Sequence, residues 1–496
     1  MLDRVLDRLR SEKLSGFALR RLADLETPMS MYLKVRYAYG DGPSFLLESA
    51  EQHEKVGRYS FIGAEPFLTV TVSNRRLELK GLVSSVLELD SPRAVLEALR
   101  KIATLVSDSV TFEVDTELGE EEKFVPAMVP MALVLLGYES VQYFEKVSFA
   151  KTRELSFPEV TLIFPSVLVI FDNYRRLMWN VLVQPARSFS LDVARRELSL
   201  LEKYPLSQNE LVARETGKTK MTTYLSKSEF CERVEKIKRY IHAGDAFQVV
   251  YSQRFALETN VGAVELYRRL RYTNPSPYMF LVQTGEFSLF GSSPETLIKV
   301  TGGKVVVHPI AGTRKRGTTV EEDEAIEREL LADEKELAEH SMLVDLARND
   351  IGRVARAGTV RVPRLMYIER YSHVMHIVSE VTGELRSGLN ALDALAATFP
   401  AGTVIGAPKV RAMEIIEETE NVAREFYAGS VGYISWAGDA DFAITIRSGL
   451  LKNGKLFTQA GAGIVYDSVP ENEYQETINK AMALLRVAGA EIDGIA

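Results

Sequence analysis

Two pairs of glutamates share one spacing. Glu336 and Glu339 open the stretch Glu336-Leu-Ala-Glu-His-Ser-Met-Leu-Val-Asp-Leu-Ala-Arg-Asn-Asp350, and Glu473 and Glu476 open a second run that continues to Arg486. The first stretch reads as a helix, with Leu337, Met342, Leu343 and Leu346 recurring at helical intervals. Carboxylates at i and i+3 are neighbours on one helix face and repel unless solvent, a base or a cation stands between them. Two such pairs facing each other would offer oxygen ligands to a hard divalent ion. The spacing alone does not decide this, because Glu229/Glu232, Glu321/Glu324 and Glu417/Glu420 repeat it where a solvated helix face is the plain reading. The company is more telling: Asp345, Arg348, Asn349 and Asp350 follow the first pair, and Gly461-Ala462-Gly463 precedes the second.

Other residues could carry acid, base or anion chemistry. Glu295, in Gly291-Ser-Ser-Pro-Glu295, follows an apolar strand and is either a general acid at a strand end or a solvated turn residue. His308-Pro-Ile-Ala-Gly-Thr-Arg-Lys-Arg-Gly317 packs bases between glycines; its backbone and Thr313 could cradle a carboxylate or phosphate, and a solvated basic turn fits its composition equally. His376 lies between apolar neighbours, where most histidines are structural but one in a pocket is a natural proton carrier. Phe399-Pro-Ala-Gly-Thr-Val-Ile-Gly-Ala-Pro-Lys409 is a turn feeding a helix, the geometry that aims N–H groups at an anion, without the spacing of a Walker loop. Arg447 interrupts the apolar run Ala443–Leu451, either at an edge or buried to meet a carboxylate.

The elements that must position these groups are those of an α+β chain with large antiparallel sheets flanked by helices. Its 496 residues suffice for two cores, and a net charge of −8 gives no drive toward nucleic acid or anionic membrane. One cysteine, Cys231, excludes a disulfide framework and fits a reducing, cytoplasmic setting. The first ten residues read as an amphipathic helix without the apolar core of a secretory signal, and no apolar run is long enough to span a bilayer. Residues 29–76 suggest short strands, among them Met31–Arg36, Ser44–Glu48 and Phe67–Val72; Pro92–Leu105 reads as a helix, and residues 113–123 as an acidic exposed loop. Weak periodicity from Pro205 to Thr222 suggests a junction between an N-terminal lobe, residues 1–210, and a catalytic lobe, residues 221–496. In the second lobe Ser226-Lys-Ser-Glu229 forms a capping box, and Thr301-Gly-Gly303 and Lys452-Asn-Gly454 specify hairpins.

The ordered set Gly244-Asp-Ala-Phe-Gln-Val-Val250, Ser293-Pro-Glu295, Pro309-Ile-Ala-Gly-Thr-Arg314, Glu336-Leu-Ala-Glu-His340, Pro400-Ala-Gly-Thr403, Gly406-Ala-Pro-Lys409 and Gln459-Ala-Gly-Ala-Gly463 resembles the chorismate-utilising enzymes, and among them the large synthase subunits of anthranilate synthases. The match is dense from about Met221 onward and thinner before it. The resemblance implies Mg²⁺ held by Glu336, Glu339, Glu473 and Glu476, gripping one carboxylate of chorismate. It places the other carboxylate against Tyr427 and Arg447, with Gly312, Thr313, Gly461, Ala462 and Gly463 completing the cradle. Glu295 would protonate the departing C4 hydroxyl as ammonia attacks C2, His376 would assist loss of pyruvate, and Thr403 would line the pocket. Ile405 departs from the family, which commonly has Ser there.

Two positions choose within the family. Water-adding relatives usually carry a Lys base where this chain has Gln248, and aminodeoxychorismate synthases a Lys where it has Ala311. Anthranilate is therefore the expected product, with aminodeoxychorismate or a non-catalytic tryptophan-binding regulator as the alternatives. The resemblance also implies feedback by tryptophan at Ser49, Pro277, Tyr278 and Met279. Cys231 lies in a helical run without the Gly-rich elbow of an amidotransferase nucleophile, so glutamine must be used by a separate amidotransferase subunit, the family's arrangement being a heterotetramer. Alone, the chain should use free ammonia.

Overall fold

The computed structural model describes residues 2–50, 57–115, 129–206, 219–370 and 374–491. The acidic loop from residue 116 and most of the expected lobe junction, residues 207–218, lie outside them. An N-terminal helix, Leu2–Ser11, forms as the sequence suggests and buries Val5, Leu6 and Leu9. The stretch Met31–Arg36 is a correction: it lies in the helix Pro28–Tyr39, not in a strand. Its Tyr, Leu and Val favour a strand locally, but Thr27 caps the helix, Ser30 closes a reciprocal capping box and Pro28 sits in the first turn. Those groups satisfy donors that a helix start otherwise leaves open, and the buried Met31, Tyr32 and Val35 supply the packing.

Strands from both halves of the chain share one antiparallel network. Tyr59–Ser73 pairs with Val160–Asp172, and Ser44–Glu48 lies between Tyr59–Ser73 and the distant Tyr278–Gln283. Pro130–Leu136 pairs with Ser430–Ser435. A division between residues 1–210 and 221–496 would therefore run through hydrogen-bonded ladders, not between separate sheets. Leu14–Leu22 is an exception to the antiparallel rule, pairing in parallel with Val110–Asp115. Both expected hairpins form, with Gly302 and Gly303 at φ +55° and +79°, and Asn453 and Gly454 at +51° and +73°. Positive φ at both central residues matches the right-handed twist of the strands they join.

The two acidic stretches are helices, Glu334–Gly352 and Pro470–Val487. The first is capped by Asp333, which accepts from Lys335 and Glu336 N–H. Its buried face is His340, Leu343, Val344, Ala347, Asp350 and Ile351, so Leu337 and Met342 are less central than their spacing suggests. The run Ala443–Leu451 is also corrected: it breaks into strands Ala440–Ile444 and Ser448–Lys452, with Arg447 at φ +49° in the bend. Among the described residues no helix is long and apolar enough to cross a membrane.

The core holds a carboxylate pair between the two halves. Glu139, fully buried, accepts from the N–H of Glu425, whose own carboxylate accepts from Leu155 and Phe157 N–H. Burial pushes the Glu139 carboxyl up to about 7. A folded-state pKa above the unfolded value means this group favours the fold fully below pH ~4.5, and that contribution is lost as pH rises through about 7; at pH 8 the loss is about 3 kcal/mol. Glu139→Gln, which cannot ionise, is expected to melt higher than the parent at pH 8 and level with it near pH 5. Equal melting temperatures at both pH values would contradict this reading.

Candidate functional site

The floor of the site is a pair of strands, Gln248–Glu258 and Lys455–Ile464, in antiparallel register with Val250 opposite Gly463, Tyr251 opposite Ala462 and Ser252 opposite Gly461. The glycines are demanded by their neighbours. A Cβ on Gly461 would stand 2.8 Å from the Tyr427 hydroxyl, and one on Gly463 2.8 Å from Gln248 Nε2. Tyr427 is buried and its hydroxyl pKa is pushed up, first by that burial. The missing side chains let the Tyr427 phenol and the Gln248 amide close directly on the floor backbone, at the buried Gly461 and the half-buried Gly463.

Glu339 and Glu476 are tied to this floor through Gln248 and Lys480. Gln248 Nε2 donates to Glu339 Oε1 at 3.1 Å; Lys480 donates to the carbonyl of Gly461 at 3.0 Å and pairs with Glu476 at 2.6 Å. Glu336 pairs with Arg314 at 2.9 Å, and its other oxygen lies 3.2 Å from where a Cβ on Gly312 would be. The carboxyl of Glu473 is pushed up by burial and by neighbouring Glu476, while Lys335, on the other acidic helix, acts on it in the opposite sense. The first turns of both helices thus act on one another's charges, Lys335 on Glu473. They do not form a closed cage: among the described residues no three His, Cys, Asp or Glu side chains stand together as a metal site. The donors are all oxygen, and a divalent cation would relieve the Glu473/Glu476 repulsion, so the set fits such an ion in chemistry; Lys480, Arg314 and Gln248 hold the carboxylates in the present arrangement.

Glu295 lies at the other side. Burial pushes its carboxyl up to about 7, opposed by the Thr403 hydroxyl and by the charges of Lys480 and Arg447. Thr403 Oγ1 is itself buried and makes no hydrogen bond of regular geometry. Both residues line a cavity of about 40 Å³ with Thr398, Asp350 and His308. Arg447 makes no hydrogen bond or ion pair through its guanidinium among the described residues; burial lowers its pKa and Glu295 raises it. His376 Nδ1 lies 3.0 Å from Thr313 Oγ1 and 3.1 Å from the Gly312 carbonyl. Its pKa is lowered by burial first and also by Arg447, which keeps the imidazole neutral near pH 7. Gly312, at φ +63°, sits in the bulge that brings Thr313 opposite His376.

Two of the three bases in His308–Gly317 are committed within the fold, Arg314 to Asp333 and Glu336, and Arg316 to Asp323. Ile405 is fully buried in the core and its carbonyl accepts from Val250 N–H, so the side chain offers the site no polar contact. Ala311 stands at the same bulge as Gly312 and has no amine to offer.

A second cavity, about 930 Å³, is lined by Ser49, Pro277, Tyr278 and Met279 together with Glu48, Arg58, Asp441 and Tyr433. Tyr278 donates to Asp441 at 2.9 Å and lies 2.8 Å from Thr296 Oγ1. Thr296 and His308 line both cavities, and Glu295 stands between Pro294 and Thr296, which face the large one.

Sequence reading missed several partners. Lys409 is buried and donates to Asp350 at 2.7 Å and to the Thr398 carbonyl, fixing the wall of the small cavity. His340 Nε2 meets Ser379 Oγ at 2.6 Å, tying the first acidic helix to the strand of His376. Lys480 was findable, four residues after Glu476. The buried ion pair of Arg424 with Glu420 shares the Glu-x-x-x-Arg spacing of countless surface pairs, and only the fold places it inside.

The model of the family described as chorismate binding enzyme matches residues 31–486. Anthranilate synthase component 1 of Acetivibrio thermocellus is 43% identical over 477 residues, covering 94% of this chain and 93% of the relative. The protein of the same description from Aquifex aeolicus is 43% identical over 474 residues, covering 94% and 92%. Among solved structures, anthranilate synthase component I from Streptococcus pneumoniae TIGR4 superposes with a TM-score of 0.75 at 34% identity, covering 94% of this chain and 98% of that one. The menaquinone-specific isochorismate synthase of Escherichia coli shares the fold, with a TM-score of 0.69 at 19% identity, covering 98% of each chain.

Proposed function

Since this chain belongs to the chorismate-binding enzymes and to their anthranilate synthase component 1 branch, we propose that it joins chorismate and ammonia to give anthranilate and pyruvate with Mg²⁺ as cofactor. The observation that carries the chemistry is Glu295, a carboxyl titrating near neutrality, set close to Arg447, a guanidinium without a partner of its own among the described residues. A doubly negative substrate that must lose a hydroxyl needs both: a cation to hold it and an acid to protonate what leaves.

Arg447 and Tyr427 take one substrate carboxylate, with the Gly461-Ala462-Gly463 backbone beneath it. Glu336, Glu339, Glu473 and Glu476 would hold the Mg²⁺, which when bound neutralises the second carboxylate. Glu295 gives its proton to the departing C4 oxygen while ammonia forms its bond at C2, and Thr403 packs against that acid. His376, kept neutral, takes the C2 proton as the enolpyruvyl group leaves as pyruvate. Residues 221–496 form the catalytic part, and residues 1–210 the regulatory and partner-contacting part, to which Pro277, Tyr278 and Met279 contribute from the second. The large cavity holds tryptophan as the feedback ligand, supported by Ser49, Pro277, Tyr278 and Met279 lining one space. The component 1 names of the relatives support a second component; we assign it glutamine hydrolysis, because Cys231 lies on the helix Lys227–His242 with its thiol pKa raised by burial.

The test is to incubate the purified chain with chorismate, ammonium and Mg²⁺ and to identify the product. Anthranilate fluorescence that appears without the second component, disappears with chelator, returns with Mg²⁺ and is suppressed by tryptophan is expected. A product that keeps its enolpyruvyl group would refute the assignment.

A further inference from the structure

We propose that Arg424 is a positioning residue for this reaction, holding the Thr403 turn, the glycine floor and Tyr427 in one register through a single buried guanidinium. Arg424 is 1% exposed. Its Nη1 donates to the carbonyl of Val404 at 2.7 Å, and its Nη2 to the carbonyl of Val250 at 2.7 Å. Val404 directly follows Thr403, and Val250 is the register partner of Gly463. The guanidinium also lies 5.4 Å from the centre of the Tyr427 ring, and Tyr427 N–H donates back to the Arg424 carbonyl at 3.0 Å.

The guanidinium is itself held. Glu420 accepts from Nε at 2.9 Å and Nη2 at 2.7 Å, and one oxygen of Glu420 also accepts from Ser252 N–H and Oγ. Ser252 is the register partner of Gly461. Two opposite charges are thus buried beside the site, and neither lines either of the two cavities. A buried ion pair is weak evidence for stability, since an apolar pair of the same volume often does as well. What an apolar pair cannot do is donate, in one plane, to the carbonyls of two separate segments.

This inference rests on Glu295 being the acid of the reaction, and its test separates the two. Thr403 lowers the Glu295 pKa, as do Lys480 and Arg447, so a Thr403 turn that drifts away lets that pKa rise. Activity that needs the protonated acid then persists to higher pH. In Arg424→Lys, kcat/KM for chorismate, measured with free NH₃ held constant, is expected to fall roughly 100-fold, the scale of a 1 Å misplacement. The alkaline limb of its pH profile is expected to move upward. Thr403→Val alone should move the limb the same way, and Arg424→Lys added to Thr403→Val should move it no further. A purely structural role would lower the active fraction and leave the limb in place. Ser252→Ala, which removes one bond from Glu420 and leaves Arg424 intact, is the milder variant should Arg424→Lys not fold; it should show the same shift with smaller amplitude. An unmoved limb in the folded variant, with a limb that Glu295→Gln removes, overturns the role of Arg424 alone. A limb that survives Glu295→Gln overturns the reading of Glu295 instead.

Discussion

Glu295→Gln should lower kcat for anthranilate formation by about 10²- to 10⁴-fold, the range that a positioned general acid supplies. The substitution keeps volume and hydrogen-bonding shape while removing the proton, so binding of chorismate should change little. The sign of the pH dependence follows from the carboxyl being pushed up to about 7 by burial. Below that value the acid carries its proton and can give it to the departing oxygen; above it the carboxylate is empty, and it also repels an anionic substrate. With free NH₃ held constant, kcat/KM in the parent is expected to fall as pH rises through about 7, and in Glu295→Gln to be low and flat. A Gln variant with parental kcat would remove Glu295 from the chemistry. Because Pro294 and Thr296 line the larger cavity on either side of this residue, the same variant should still have its melting temperature raised by tryptophan, which checks that the second site survives.

The parts of the site that were legible in the sequence are those whose physics is local. Glu-x-x-Glu places two carboxylates on one helix face wherever the helix goes, and Asn453-Gly454 makes a hairpin whatever packs on it. The strand expected at Met31–Arg36 failed for a reason also present in the sequence, since Thr27, Pro28 and Ser30 together outweigh the strand preference of Tyr32 and Val35. Distant pairings were not legible. No local pattern in Ser44–Glu48 indicates that it pairs with Tyr278–Gln283; only the resemblance set the adjoining Ser49 beside Tyr278, and that pairing runs along the large cavity. Lys409 with Asp350 and Arg424 with Glu420 look like surface charges until the fold buries them. The four glutamates fall between these cases: their spacing set the helix face and put Lys480 one turn from Glu476, whereas the contact of Arg314 with Glu336 comes from packing.

Arg447→Ala should raise the KM for chorismate by roughly 10²- to 10³-fold, corresponding to the ~2–5 kcal/mol lost when one member of a desolvated charge pair is truncated. Arg447 occupies a bend at φ +49°, in a left-handed conformation that costs a non-glycine residue of order 1 kcal/mol, and its half-buried guanidinium has lost solvent without gaining a partner among the described residues. Both terms oppose folding, so a chain that keeps them gains elsewhere, and an anionic ligand is the partner that geometry leaves to be supplied. Two consequences separate this from a merely structural arginine. Arg447→Ala should melt no lower than the parent, and Arg447→Gly, which also relieves the backbone, should melt higher while binding chorismate as poorly. Arg447→Lys should recover little of the affinity, because a single ammonium cannot present the planar fork that meets a carboxylate with two hydrogen bonds. Loss of the guanidinium also removes a charge that lowers the Glu295 pKa, so the alkaline limb of the residual activity should move to higher pH. A variant that melts well below the parent with an unchanged KM would place Arg447 in the scaffold and leave the substrate carboxylate without its counter-charge.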